Sequence, residues 1–205
     1  MHWSIVFLVA LSWWSAEESS DQAHFWSGYA LLFLLLFRVL WGLAGSSTAR
    51  FAGFVRGPAS VAAYLKSGQH SQAGHTPLGA LSVVAMLAVL VVQVATGLVQ
   101  LDEDDFVEGP LASVVDYETS VLAHEVHEVS FNVLLGLIAL HLLAVAYYVL
   151  VRRRGLVRAM ITGHGELPDG VSPMQPASGR SLLACAVAAF GLTAAIVGAV
   201  PVFVD

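Results

Sequence analysis

Histidine is the side chain best placed to do chemistry in this sequence, and its eight copies are unevenly distributed. Four of them, His2, His24, His127 and His141, fall in or at the edge of long apolar runs. Ionisable or coordinating groups at membrane depth are costly and rare, so each is a functional candidate. His127 and His141 share one run and are 14 residues apart. On a helix, 14 steps return to within roughly 40° of the starting face and rise about 21 Å. Both imidazoles therefore point to one side of their helix at two depths. His124 would lie about 100° off the face of His141, which makes it the poorer candidate.

The other two histidines can be placed by depth. His24 and His127 each open a run from the same, acidic side, so they are level near one surface. His2 precedes Glu17 by 15 residues, about 22 Å, and His141 lies about 21 Å in from His127, so these two are level in the other half. Two pairs of facing imidazoles, one above the other in an apolar bundle, are what two non-covalent, bis-histidine b haems require. The competing reading is that each histidine only hydrogen-bonds a neighbouring helix. Zinc binding by HEVHE (124–128) is weakly supported, because its spacing is not the HExxH that brings two histidines to one helical face. Glu125 and Glu128 are expected at the wet start of their helix, where carboxylates suit the positive dipole end.

The elements that must position these residues are apolar helices. Of 205 residues, 57% are hydrophobic and only 12% charged, and the mean hydropathy is +0.75. That excludes disorder, a nucleic-acid-binding domain and an ordinary cytosolic enzyme. A net charge of −6 argues against a partner held by phosphates. The single cysteine, Cys185, excludes a disulfide framework, a four-cysteine zinc site and an iron–sulfur cluster from this chain alone, and is expected to be a small core residue. No CxxCH occurs, so covalently attached haem is excluded too.

Runs 79–100, 129–151 and 181–204 carry no charge, and 22–49 is broken only by Arg38. Run 2–16 is short of the roughly 20 residues a span needs, and it lacks the basic start of a signal peptide. The expected architecture is all-α: a four-helix transmembrane bundle with spans at about 2–20, 22–44, 78–100 and 121–151 in a domain over 1–165. A cytoplasmic linker (166–180) then leads to a fifth transmembrane helix (181–204) appended at the side. A short amphipathic stretch near 59–65 is expected on the membrane surface.

All nine Lys and Arg lie in or after the second run or between the fourth and fifth, whereas the acidic connections have none. By the positive-inside rule the amino terminus and the 50–78 and 152–180 loops face the cytoplasm, and the 101–120 loop and carboxyl terminus face outward. His2 then sits deep with only Met1 before it. A charged terminal amine and unpartnered first-turn amides would be buried there, so about ten further natural residues are expected to precede Met1.

In order along the chain stand HW at His2, HFWSGYALLFLLLFRVLWGLAGS from His24, RFAGFVRGPASVAAYL from Arg50, GHTPLGA from Gly74, HEVHE followed by LIALHLLAV, and LVRAMITG from Leu156. Over residues 2–165 the sequence resembles the bacterial cytochrome b561 / nickel–iron hydrogenase b-type cytochrome family. The resemblance implies a four-helix bundle holding two non-covalent b haems that pass electrons across the cytoplasmic (inner) membrane. It places the haem-iron axial ligands at His2, His24, His127 and His141. The fifth helix lies outside it.

Arg38 follows His24 by 14 residues and sits near the inner pair's depth, where it either meets a haem propionate or snorkels to the headgroups. His75 is a candidate for protonating a quinone, or belongs to a helix start with Thr76 as cap and Pro77 in the first turn. Trp13, Trp14, Trp26, Trp41 and Tyr64 read as interfacial anchors or core. The expected function is electron transfer between the quinone pool and a redox partner such as a hydrogenase or periplasmic cytochrome, in contact with membrane lipid. The alternative is a non-redox anchor or scaffold subunit. No independent catalytic motif is present, and nothing suggests a transporter's inverted repeats.

Overall fold

The computed structural model describes residues 1–67, 76–104, 106–164 and 174–198. The first two helices, α1 (His2–Glu17) and α2 (Asp21–Ala44), are joined by a turn of three residues. Ser19 adopts φ 51° there, and Ser20 N–H closes onto the Ser15 carbonyl at 2.8 Å. Two short helices follow, α3 (Phe51–Phe54) and α4 (Pro58–Ser67), the latter on the stretch expected at the membrane surface. Next comes α5 (Pro77–Val99). Its start has the expected chemistry: Pro77 occupies the first turn and the Thr76 hydroxyl accepts from Gly79 N–H at 3.1 Å.

A small antiparallel hairpin, β1 (Leu101–Asp102) with β2 (Val107–Glu108), leads through a 3₁₀ turn at Ala112–Val114 into α6 (Tyr117–Ala146). α6 runs on as a π turn at Tyr147–Val151. It starts before the expected residue 121 because Asp116 caps it, accepting from the Thr119 N–H at 2.9 Å and hydroxyl at 2.8 Å. Those bonds hold the Asp116 carboxyl below the usual carboxylate range. Glu118 fills the first turn. Glu125 and Glu128 are therefore not at the helix start, and the dipole effect, confined to the first turn, does not reach them. The chain closes with α7 (Leu156–Thr162) and α8 (Gly179–Gly198).

Among the described residues four helices are long and apolar enough to cross a membrane: α2, α5, α6 with its π turn, and α8. The expected first span is shorter than read, since α1 has 16 residues, about 24 Å against the roughly 30 Å of a hydrocarbon core. Large apolar side chains such as Leu81, Val91, Leu143 and Phe190 face outward from the bundle. This is the pattern of helices solvated by lipid. Inside, Leu35, Leu90 and Leu134 from α2, α5 and α6 form the central core, with Ile5 and Val9 of α1 packed against it.

The last helix is not a loose appendage. α8 lies along α2 and buries Cys185 and Ala189, which are one turn apart. Small residues at such a spacing let two backbones approach closely. Ser47, just beyond α2, and Gln175, just before α8, are tied by two bonds, Ser47 N–H to the Gln175 carbonyl at 3.1 Å and Gln175 N–H to the Ser47 hydroxyl at 2.9 Å. Ala189 has no exposed surface. Ala189→Leu is expected to destabilise the folded protein by about 1–3 kcal/mol through overpacking, lowering its melting temperature in detergent. Phe190→Leu, on the outward side, should leave that temperature unchanged.

Candidate functional site

Two levels of histidine flank the leucine core, with Leu134 seven residues from both His127 and His141 on α6. At the hairpin end, the rings of His24 and His127 face each other with centroids 6.3 Å apart and planes at 70°. Each ring is fixed by a helix other than its own. His24 Nδ1 donates to the Ser12 carbonyl of α1 at 2.9 Å, with the Ser12 hydroxyl at 3.4 Å. His127 Nδ1 donates to the Gln93 carbonyl of α5 at 2.9 Å, with the Thr96 hydroxyl at 3.3 Å. The α1–α2 turn brings Ser12 to His24, and the antiparallel packing of α5 on α6 brings Gln93 to His127.

Bonding through Nδ1 leaves Nε2 of both rings as the nitrogen able to bind a metal. The spacing fits an iron between them. Nε2 of His24 and Nε2 of His127 would hold the iron of a b haem, which would supply one-electron chemistry there. The backbone is shaped for the same ring. A Cβ on Gly97 would stand 2.8 Å from His127 Cε1 and 3.1 Å from its Nδ1, so only glycine lets α5 approach this imidazole. The Gln93 amide reaches His127 Nε2 at 2.9 Å and accepts a bond from the Ser130 hydroxyl. For His127 Nε2 to hold an iron, the flexible Gln93 side chain would have to turn away.

At the other end, His2 stands in the first turn of α1, and His141 lies seven residues beyond Leu134 on α6. His2 is exposed and His141 half-buried. Trp3 Nε1–H donates to the Met160 carbonyl of α7 at 3.3 Å, which ties the same turn to the LVRAMITG segment. Arg38 is buried on α2 at this end. Its guanidinium lies 4.8 Å over the Phe51 ring and donates to the Ala49 carbonyl at 3.3 Å. Gly42 makes room for that arrangement, since a Cβ there would fall 2.1 Å from Phe51. His75 lies outside the described residues. Tyr64, read as anchor or core, is buried and shares a hydroxyl–hydroxyl hydrogen bond with Tyr148 of the π turn.

Sequence reasoning did not single out Ser12, Gln93, Gly97, Thr96 or Ser130. Gln93 carried a readable signal as the amide in the interior of the apolar run 79–100, which Gln100 ends. Gly97 carried none, because its role depends on which helix lies opposite.

An apolar helical bundle with a closely facing imidazole pair, each ring aimed by a backbone carbonyl, defines a membrane protein able to hold haem. The family model of prokaryotic cytochrome b561 matches residues 1–163, and the chain belongs to that family. It is thus a multi-pass membrane b-type cytochrome that functions in electron transfer. Neither the curated proteins nor the solved structures include a match to it. Gly97→Ala is expected to push the His127 ring off the Gln93 carbonyl. Overpacking of about 1–3 kcal/mol corresponds to haem loss faster by roughly fivefold or more, measured as bound haem after gel filtration.

Proposed function

We propose that the protein holds two non-covalent b haems, one between His24 and His127 and one between His2 and His141, and carries electrons between them across the cytoplasmic (inner) membrane. The observation that carries this reading is the 6.3 Å ring spacing with both Nδ1 atoms bonded to carbonyls of neighbouring helices. The bound group supplies one-electron oxidation and reduction of its iron. The chain supplies ligand nitrogens, fixes their tautomers through Ser12 and Gln93, and keeps water from the middle of the bundle with Leu35, Leu90 and Leu134. Arg38 keeps further guanidinium donors for a propionate of the second haem, beyond the one given to Ala49.

Residues 1–165 form the electron-transfer domain, 166–180 a cytoplasmic linker, and α8 an accessory span. The amino terminus faces the cytoplasm and the acidic hairpin faces outward, as the distribution of Lys and Arg supports. Quinone is the membrane-side substrate, with His75 as its proton donor. The outward partner is a redox protein such as a hydrogenase or a periplasmic cytochrome.

Pyridine haemochrome analysis of the parent should give about two b haems per chain. His127→Ala or His24→Ala should remove one haem and largely spare the other, and His141→Ala should do the reverse. Retention of both haems in His127→Ala sinks the pairing, and a reduced spectrum without sharp α and Soret bands makes the protein a scaffold. Topology has its own test. A reporter active only outside the cytoplasm should work when fused after Glu108 and fail after Lys66, and activity at Lys66 overturns the orientation.

A further inference from the structure

One helical turn beyond the imidazole pair, towards the hairpin, two polar residues each hold one buried atom without a hydrogen-bond partner among the described residues. His124 lies three residues before His127 on α6, and Gln100 lies three residues after Gly97 at the end of α5. Since Gly97 packs against the His127 ring, the same step along each antiparallel helix brings both residues to one level. The packing of β1 on α6 fixes that level. It is held further by Gly109 N–H donating to the Gln100 carbonyl at 2.8 Å and Leu111 N–H to the Leu98 carbonyl at 2.7 Å.

Gln100 is 8% exposed. Its Oε1 and the Nδ1 of His124 are buried without a hydrogen-bond partner among the described residues. A fold rarely leaves two such atoms unmet, because each loses its bonds to water and gains none. The other nitrogen of His124, Nε2, lies 4.0 Å from the Asp102 carboxylate on β1, an ion pair when the ring is protonated.

We propose that His124 and Gln100 form the polar rim of the haem site between His24 and His127 and bind a propionate of that haem. This rests on the two-haem reading above. A b haem is an apolar disc with two carboxylates on one edge, and burying an ionised carboxylate without donors is strongly unfavourable. That edge turns to the nearest water, which is the hairpin end. An imidazolium donates from both nitrogens, so His124 can bridge Asp102 and a propionate. The Gln100 amide, turned about its last torsion, offers its NH₂ to the same group. His124 is then a binding residue beside the ligands, not a ligand to iron.

The test is haem transfer from the full-length detergent-purified protein to excess apomyoglobin, with haem content measured beforehand. The outer haem is the kinetic phase missing from His24→Ala protein. His124→Leu and Gln100→Leu should both be purified with two haems. His124→Leu should then lose the outer haem about tenfold faster and Gln100→Leu about threefold faster, with the inner phase unchanged. Protein reconstituted with haem dimethyl ester, which has no ionised carboxylate, should show less than a twofold effect of His124→Leu. Unchanged outer phases in both variants, or the same tenfold effect with the ester, overturn the proposal while the two-haem reading stands. A parent chain with fewer than two haems overturns that reading and this proposal together.

Discussion

An imidazole in hydrocarbon is useful only when one nitrogen is satisfied and the other is free and aimed, and this double requirement orders the bundle. Here each histidine bonds its Nδ1 across to another helix, on the second lone pair of a carbonyl that also serves that helix's backbone. For this the neighbour must come close. α1 comes close to α2 through the tight turn at Ser19, which presents Ser12 to His24. α5 comes close to α6 because Gly97 has no side chain, which presents Gln93 to His127. The pairing of helices and the aiming of rings are one event.

The same economy governs the far end. Arg38 is the one charged side chain of α2 beyond its first turn, and its environment supplies partners for it. The Phe51 ring offers its π face, Ala49 offers a carbonyl, and Gly42 leaves space for both. The short α3 helix therefore acts as a plug carried by the loop after α2. α8 closes the remaining flank of α2 through Cys185 and Ala189, so α2 is the most enclosed of the four long helices. Lipid is left to solvate α5 and α6 along most of their length.

Features governed by local periodicity were legible in the sequence. The 14-residue interval on α6, the lengths of the apolar runs and the Thr76-Pro77 start of α5 depend only on helix geometry and capping. The level match of His24 with His127 followed from counting residues from a common surface. Features created by approach between helices were not legible. Ser12 and Thr96 are unremarkable polar residues until a ring from another helix lies over them. The start of α6 at Tyr117 was obscured because the 101–120 segment reads as an acidic loop, although Asp116 and Thr119 there make a good cap. The docking of α8 along α2 depends on two small residues, Cys185 and Ala189, that resemble any others in an alanine-rich helix.

The separation of the two histidine levels has an electrical consequence. They stand about 21 Å apart along α6, and the hydrocarbon between the membrane faces is about 30 Å. Leucine, isoleucine and valine pack the interval, a medium of low dielectric. A charge that passes from one level to the other crosses about two thirds of the transmembrane voltage, or roughly 1.5 kcal/mol for each 100 mV. If the two haems proposed above bind at these levels, transfer between them is electrogenic, and an energised membrane opposes it in one direction and assists it in the other.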